Sequence, residues 1–288
     1  MITPSLLAKK LVVREGRVTV SAGTMFCPYK CTYCYAPHVI TGLTKLIDFT
    51  PAVLKRALLK VKDFKKGKKG TLIFIGRDVE AFAPVETGIA FIKEIAKLGN
   101  QMSVSTKSFF TKNHAQAFAE AVKDKKQLGV LVTMTCWDSA PRLEPGAPAP
   151  EIRIRTIKNL ADEGFNVFVY IKPIIPGTKI SEYKTLIEEA KKAGAKGVIP
   201  GYVNIDKAKR MLESFRLMGF DTKRLEMLMK KSKLKTAPFA YKDEENILWY
   251  YVYDKQAFSA IKRYAKKAGL RHFENSIAAI SWLKKARN

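Results

Sequence analysis

The strongest constraint on the fold is a repeated alternation. Short β-branched runs at 17–22, 71–76, 102–106, 128–135, 166–171 and 197–202 are each followed by a longer stretch with helical spacing of apolar residues. Those stretches cover 51–64, 86–98, 114–122, 151–163, 181–193 and 206–218. Several of the short runs are almost continuously apolar, as strands are when both faces of a sheet are covered. Strands joined in series by helical crossovers run parallel, because a hairpin cannot connect parallel neighbours. The pattern predicts an α/β chain: a partial parallel (β/α)6 TIM-type barrel over residues 1–220. Beyond it, 221–288 reads as a basic C-terminal α/β extension, with an aromatic strand at 247–253 and helices at 256–268 and 277–286.

The chain has 288 residues and carries 52 Lys and Arg against 26 Asp and Glu, a formal net charge of +26. An uncompensated excess of this size favours a polyanionic partner, with nucleic acid first (tRNA, other RNA or DNA). Residues 55–69 alone hold eight Lys or Arg and one acid, and basic stretches recur at 230–235 and 262–267. Contacts of this kind give phosphate affinity without sequence choice. The plainer reading of each is a solvated helix face and loop. No apolar run reaches the roughly 20 residues of a membrane span, and the N-terminus does not read as a signal peptide. The expected location is the cytoplasm, with no membrane partner.

Three of the four cysteines, Cys27, Cys31 and Cys34, lie within eight residues of one another in the loop after the first strand. In a cytosolic chain that clustering reads as metal binding rather than as a disulfide framework. A structural zinc requires four ligands, the fourth being His38 or the distant Cys136. A cubane iron–sulfur cluster accepts three cysteines and leaves one iron open.

The spacing C-x3-C-x2-C, with aromatic Tyr33 before the third cysteine, resembles the radical SAM superfamily. Further phrases along 15–205 are similar to its spore-photoproduct-lyase-like branch, also labelled DNA repair photolyase. They are VTVSAG-TMFCPYKCTYCYAP, FIGRDVEAFAPVE (74–86), VSTKS (104–108), VTMTCWD (132–138), RLEPGAPAPEIRIRTIKNLADEGFNV (142–167) and IKPIIPGT (171–178). The resemblance implies a [4Fe-4S] cluster on Cys27, Cys31 and Cys34. It further implies S-adenosyl-L-methionine on the open iron, a reductant such as ferredoxin or flavodoxin, and a 5′-deoxyadenosyl radical that abstracts hydrogen from the substrate.

Carried over residue by residue, the resemblance assigns contacts to the cofactor. Gly76, Asp78 and Glu80 occupy the turn that meets the ammonium of S-adenosylmethionine, where Arg77 departs from the family's glycine. Lys107 pairs with the carboxylate, Thr133 or Thr135 meets the ribose, and Ile174 and Ile175 flank the adenine. Tyr33 belongs to the cofactor set, and Cys136 is the candidate catalytic thiol, with a small buried hydrophobe as its plain alternative. The lyase's hydrogen-donating cysteine, late in the second strand, has no equivalent here: the nearest position is Ile75. Trp249, Tyr250, Tyr251 and Tyr253 alternate along a strand and read either as a base-stacking face or as core. Two alternatives stand beside a radical SAM enzyme acting on nucleic acid. One acts on a peptide or small molecule, and the other is a metal-stabilised binding protein without catalysis.

Overall fold

The structure is a computed structural model and describes residues 3–14, 16–20, 27–36, 49–76, 79–236 and 248–287. Six strands, β2 (Arg17–Val20), β3 (Leu72–Ile75), β4 (Met102–Thr106), β5 (Leu128–Thr133), β6 (Asn166–Ile174) and β7 (Gly197–Asp206), pair in sequence order, every pair parallel. The expected six βα units are therefore present, and the sheet curls as a half-barrel. It stays open, because β2 and β7 do not pair with each other. A short strand β1 (Val12–Arg14) extends the sheet beyond β2 as an antiparallel hairpin arm.

Helices α2 (Pro51–Leu59), α3 (Val85–Ala96), α4 (Lys112–Ala121), α6 (Pro150–Asp162) and α7 (Ile180–Lys192) form the outer layer; α1 (Pro4–Lys10) packs against α2, and α5 (Ala140–Leu143) is a short turn after β5. Several starts follow local chemistry. Thr50 accepts from the Val53 amide ahead of Pro51, and Thr111 and His114 cap one another's backbone at the head of α4. One large core lies between this layer and the outward side chains of the strands, among them Val18, Ile73, Val104, Val130, Val169 and Val198.

The opposite, concave side has its own filling. After β7 the chain forms α8 (Arg210–Leu217), α9 (Lys223–Lys230), β8 (Leu234–Thr236), β9 (Leu248–Val252), α10 (Lys255–Lys267), β10 (Arg271–His272) and α11 (Ser276–Arg287). The segment after 220 packs on the half-barrel. β9 pairs antiparallel with the second half of β7, β10 pairs parallel with its first half, and α10 packs against α7. The last helix, α11, lies inside the curl. Its Ala279, Ile280 and Leu283 form a core with Leu72, Phe74, Leu131, Phe168, Tyr170 and Ile199. Gly129 makes room for it, since a Cβ there would stand 2.7 Å from Ile280 Cδ1 and 2.8 Å from Leu283 Cδ1.

Two sequence boundaries shift for identifiable reasons. The strand expected over 197–202 runs to Asp206, because β9 supplies a partner for its second half. The helix expected from 206 begins at Arg210, and the Asp206 carboxylate accepts instead from Met211 N at 3.2 Å and Arg210 Nε at 3.0 Å. Among the described residues no helix is long and apolar enough to cross a membrane.

Because α11 floors the concave side, Leu283→Ala is expected to lower unfolding free energy by about 2–5 kcal/mol, read from urea denaturation. A loss under about 0.5 kcal/mol would show that α11 does not close that core.

Candidate active site

The segment 27–36 lies across the C-terminal ends of the parallel strands, which is where barrels of this kind hold their chemistry. A tight turn brings the cysteines round: Lys30 takes φ +45°, and Cys34 N donates to Cys31 O at 2.9 Å. Two tyrosines root the loop. Tyr29 Oη is 2.6 Å from Ser108 Oγ, which donates to Phe82 O at 2.6 Å. On the other side Tyr33, fully packed, donates to Glu144 Oε1 and lies 2.9 Å from Thr135 Oγ1.

The RLEPG phrase is the clamp over this loop. Thr32 N donates to Leu143 O at 3.0 Å, and Gly146 N donates to Tyr29 O at 3.1 Å. A Cβ on Gly146 would stand 2.5 Å from Pro28 O, so the position has room only for glycine. Glu144 and Arg153 are both buried, and Arg153 Nη2 donates to Glu144 Oε2 at 2.5 Å while its Nη1 donates to Thr133 O at 2.9 Å. Thr135 Oγ1 adds a 2.9 Å bond to Glu144 Oε1. Burial opposes the charge of Glu144, but Arg153, Lys107 and the hydrogen bonds from Arg153 and Tyr33 outweigh it and hold the carboxyl below its usual range. Burial and the Glu144 charge together push the Tyr33 phenol well up, so it stays protonated and donates.

The three thiols are half-buried, and burial raises all of them, Cys34 to about 11. Lowering influences surround them. Backbone amides of Tyr29 and Glu80 reach Cys27, the amide of Ala36 reaches Cys34, and the Lys107 ammonium acts on all three. Lys107 Nζ lies 5.6 Å from the Tyr33 ring centroid. Burial opposes its charge, and Cys31, Glu144 and Glu80 restore and raise it.

The remaining expected residues divide between mouth and scaffold. Glu80 accepts from Phe82 N, Thr106 Oγ1 and Lys107 N at 3.0, 2.8 and 2.8 Å, so it braces the end of β4 beside the thiols. Gly76 turns the chain out of β3 at φ +88°, where a Cβ would meet Ser105 O at 2.6 Å. Asp78, Arg77 and His38 lie outside the described residues. Thr133 ends β5 on the concave side, whereas the hydroxyl of Thr135 is spent on Glu144 and Tyr33. Ile174 and Ile175 are each 1% exposed and enter two different cores. Cys136 is fully buried beside Tyr33, Leu143 and Ile175, and burial, Glu144 and Glu182 push its thiol far up, the setting of a packing group. Trp249 is buried too, edge-on to Tyr35 at 5.9 Å, so the aromatic strand backs the cysteine loop. Sequence alone does not single out Glu144 and Arg153 as site residues: the phrase containing them is visible in the sequence, but their pairing is not.

A family model described as the radical SAM superfamily matches residues 22–190. The chain belongs to the radical SAM superfamily. This family uses a [4Fe-4S] cluster and S-adenosylmethionine. The donor set fits: three neighbouring thiols, with backbone amides reaching Cys27 and Cys34 and the Tyr33 side chain reaching Cys31, suit a cubane, whose hydrogen-bonded thiolates each bind a different iron. Among the described residues no three His, Cys, Asp or Glu are grouped as a single metal ion would need.

Similar radical SAM folds are found in spore photoproduct lyase. One variant with bound AdoMet and dinucleoside spore photoproduct superposes with a TM-score of 0.64 at 13% identity, covering 89% of this chain and 75% of that one. Another variant, with dinucleoside spore photoproduct, gives 0.62 at 14%, covering 88% and 73%. In sequence, an uncharacterized protein of Methanocaldococcus jannaschii is 27% identical over 162 residues, 54% of this chain and 60% of that protein. An uncharacterized Mycobacterium tuberculosis protein is 26% identical over 198 residues, 63% and 57%. The chain therefore spans about six tenths of the length of these relatives.

Removing the Glu144 carboxylate strands Arg153. Glu144→Ala is expected to cost about 3–5 kcal/mol, and replacing both residues by methionine to recover much of it, by urea denaturation. The pH sign follows from the depressed folded pKa. The contribution is full above the unfolded carboxyl value and fades as pH falls through the folded one, so the wild-type advantage over the double variant should shrink on acidification. An advantage constant down to acid unfolding would contradict the ion pair.

Proposed function

We propose that this chain is an enzyme that binds a [4Fe-4S] cluster through Cys27, Cys31 and Cys34, cleaves S-adenosylmethionine reductively and modifies or repairs a nucleic acid. The observation that carries the reading is the meeting of three half-buried thiols and the Lys107 ammonium at the strand C-terminal ends, on a loop rooted by Tyr29 and Tyr33. When bound, the cluster supplies the electron that splits the sulfonium and so begins hydrogen abstraction. The chain's own part is placement. Lys107 offers a cation for the methionyl carboxylate, Tyr33 gives the ring beneath it, and Glu80 fixes the backbone from which Lys107 projects. The RLEPG turn holds the backbone of the cysteine loop, through Thr32 N to Leu143 O and Gly146 N to Tyr29 O.

Nucleic acid is the substrate class favoured by the +26 charge, and spore photoproduct lyase, with a similar fold, holds a dinucleoside. The lyase's own reaction is not the one proposed. Ile75 is fully buried among the outer-core side chains, so nothing at that position reaches the mouth to return hydrogen. Cys136 lacks that access as well.

Anaerobic reconstitution should give about four irons and four sulfides per chain and 5′-deoxyadenosine under dithionite. Cys31→Ala should abolish both iron loading and 5′-deoxyadenosine. Wild-type yield in that variant, or zinc in place of iron, would end the proposal. Lys107→Ala should weaken S-adenosylmethionine binding about tenfold in equilibrium dialysis; an unchanged affinity would remove Lys107 from the cofactor.

A further inference from the structure

Alternate residues of the parallel strands face the concave side. Register places Thr133, Tyr170 and Ile199 on one level of that face. One level closer to the mouth stand Lys172 on β6 and Gly201 on β7. Gly201 has no side chain, and a Cβ there would lie 2.7 Å from both Lys172 Cγ and Cδ. The Lys172 stem therefore crosses bare backbone of β7. Its Nζ stands 5.6 Å from the centroid of the Tyr170 ring, which belongs to the core above α11. Lys172 is exposed, and among the described residues it has no carboxylate partner.

Among the described strand positions of this face, the charged residues are all basic. From β2 to β7 the concave positions are Arg17, Thr19, Leu72, Phe74, Ser103, Ser105, Gly129, Leu131, Thr133, Phe168, Tyr170, Lys172 and the β7 residues Gly197, Ile199 and Gly201; none is Asp or Glu. Arg17 is committed to the floor, over the Phe74 ring and donating to Ser276 Oγ at 3.0 Å. Lys107 follows β4 and carries its Nζ over the Tyr33 ring of the cysteine loop. With strands about 4.8 Å apart and a rise of about 3.3 Å per residue, Lys107 and Lys172 stand roughly 12 Å apart at Cα, flanking Thr133. One lysine lies over the Tyr33 ring of the cysteine loop, and the other, exposed, lies over the Tyr170 ring.

We propose that Lys172 is the substrate-side anchor of this mouth, binding a backbone phosphate of a nucleic-acid ligand while Lys107 serves the cofactor. The proposal rests on the radical SAM reading above. A lysine ammonium suits the task as a compact cation that needs no bidentate geometry. The ordinary alternative is a lysine whose stem merely covers Tyr170. Lys172→Met separates the two, because it keeps an unbranched apolar stem and deletes only the charge.

The test uses the reconstituted full chain and a short mixed-sequence single-stranded oligonucleotide, as DNA and as RNA, with binding followed by fluorescence anisotropy across a salt series. Lys172→Met should weaken binding about tenfold and lower the slope of log Kd against log salt by about 0.7, the value for one phosphate on a single strand. Lys172→Arg should restore both. Lys93→Met, which removes one exposed charge from outer helix α3, is the control for general basicity. Equal losses in the Lys93 and Lys172 variants, or no loss in the latter, would overturn the proposal. So would a tenfold fall in S-adenosylmethionine affinity on Lys172→Met, which would give this lysine to the cofactor. Failure of wild-type chain to cleave S-adenosylmethionine sinks the parent reading instead, and is scored separately.

Discussion

The buried ion pair between Glu144 and Arg153 is the constraint from which the candidate site is built. Each partner is unaffordable alone in a packed interior, and each is tied to a different piece of the mouth. Arg153 reaches back from α6 to the carbonyl that ends β5. Glu144 reaches forward to Tyr33, between the second and third cysteines. A strand end, an outer helix and the cysteine loop are thus set relative to one another by a single pair of charges. The Gly146 contact and the Thr32 bond to Leu143 then hold the loop's backbone against the same turn.

The half-barrel divides its labour along its height. Its floor is apolar and closed by α11, its walls carry Thr19, Ser103, Ser105 and Thr133, and its rim carries the thiols and lysines. Outer and inner cores are separate clusters on opposite faces of one sheet. Strand side chains alternate between them, which lets one sheet pack against the helical layer on one face and α11 on the other.

Much of this was readable in advance because it is periodic. Each of the six parallel strands was located, and the three cysteines fell on the loop after the first. Features that depend on distant partners were not readable. Nothing local in residues 203–206 announces a strand, since the partner, β9, lies more than forty residues on. Nor do Glu144 and Arg153 differ in pattern from solvent-exposed charges, because the burial that gives them their role comes from tertiary packing. Thr135, Ile174 and Ile175 sit at strand ends as a cofactor-lining residue would, yet the structure commits Thr135 to the Glu144 network and the two isoleucines to packing. The aromatic run 249–253 offered two readings from its alternation alone, and the contact of Trp249 with Tyr35 shows what one face of it packs against.

The inward position of α11 bears on how such a chain matures. Its Ile280 and Leu283 complete a wall begun by β3, more than two hundred residues earlier, and Trp249 supports the cysteine loop from a similar distance. During synthesis the ribosome therefore releases the thiols long before the surfaces that shelter them exist. The packing around the cysteine loop and the concave floor is therefore complete only once the late segments have docked.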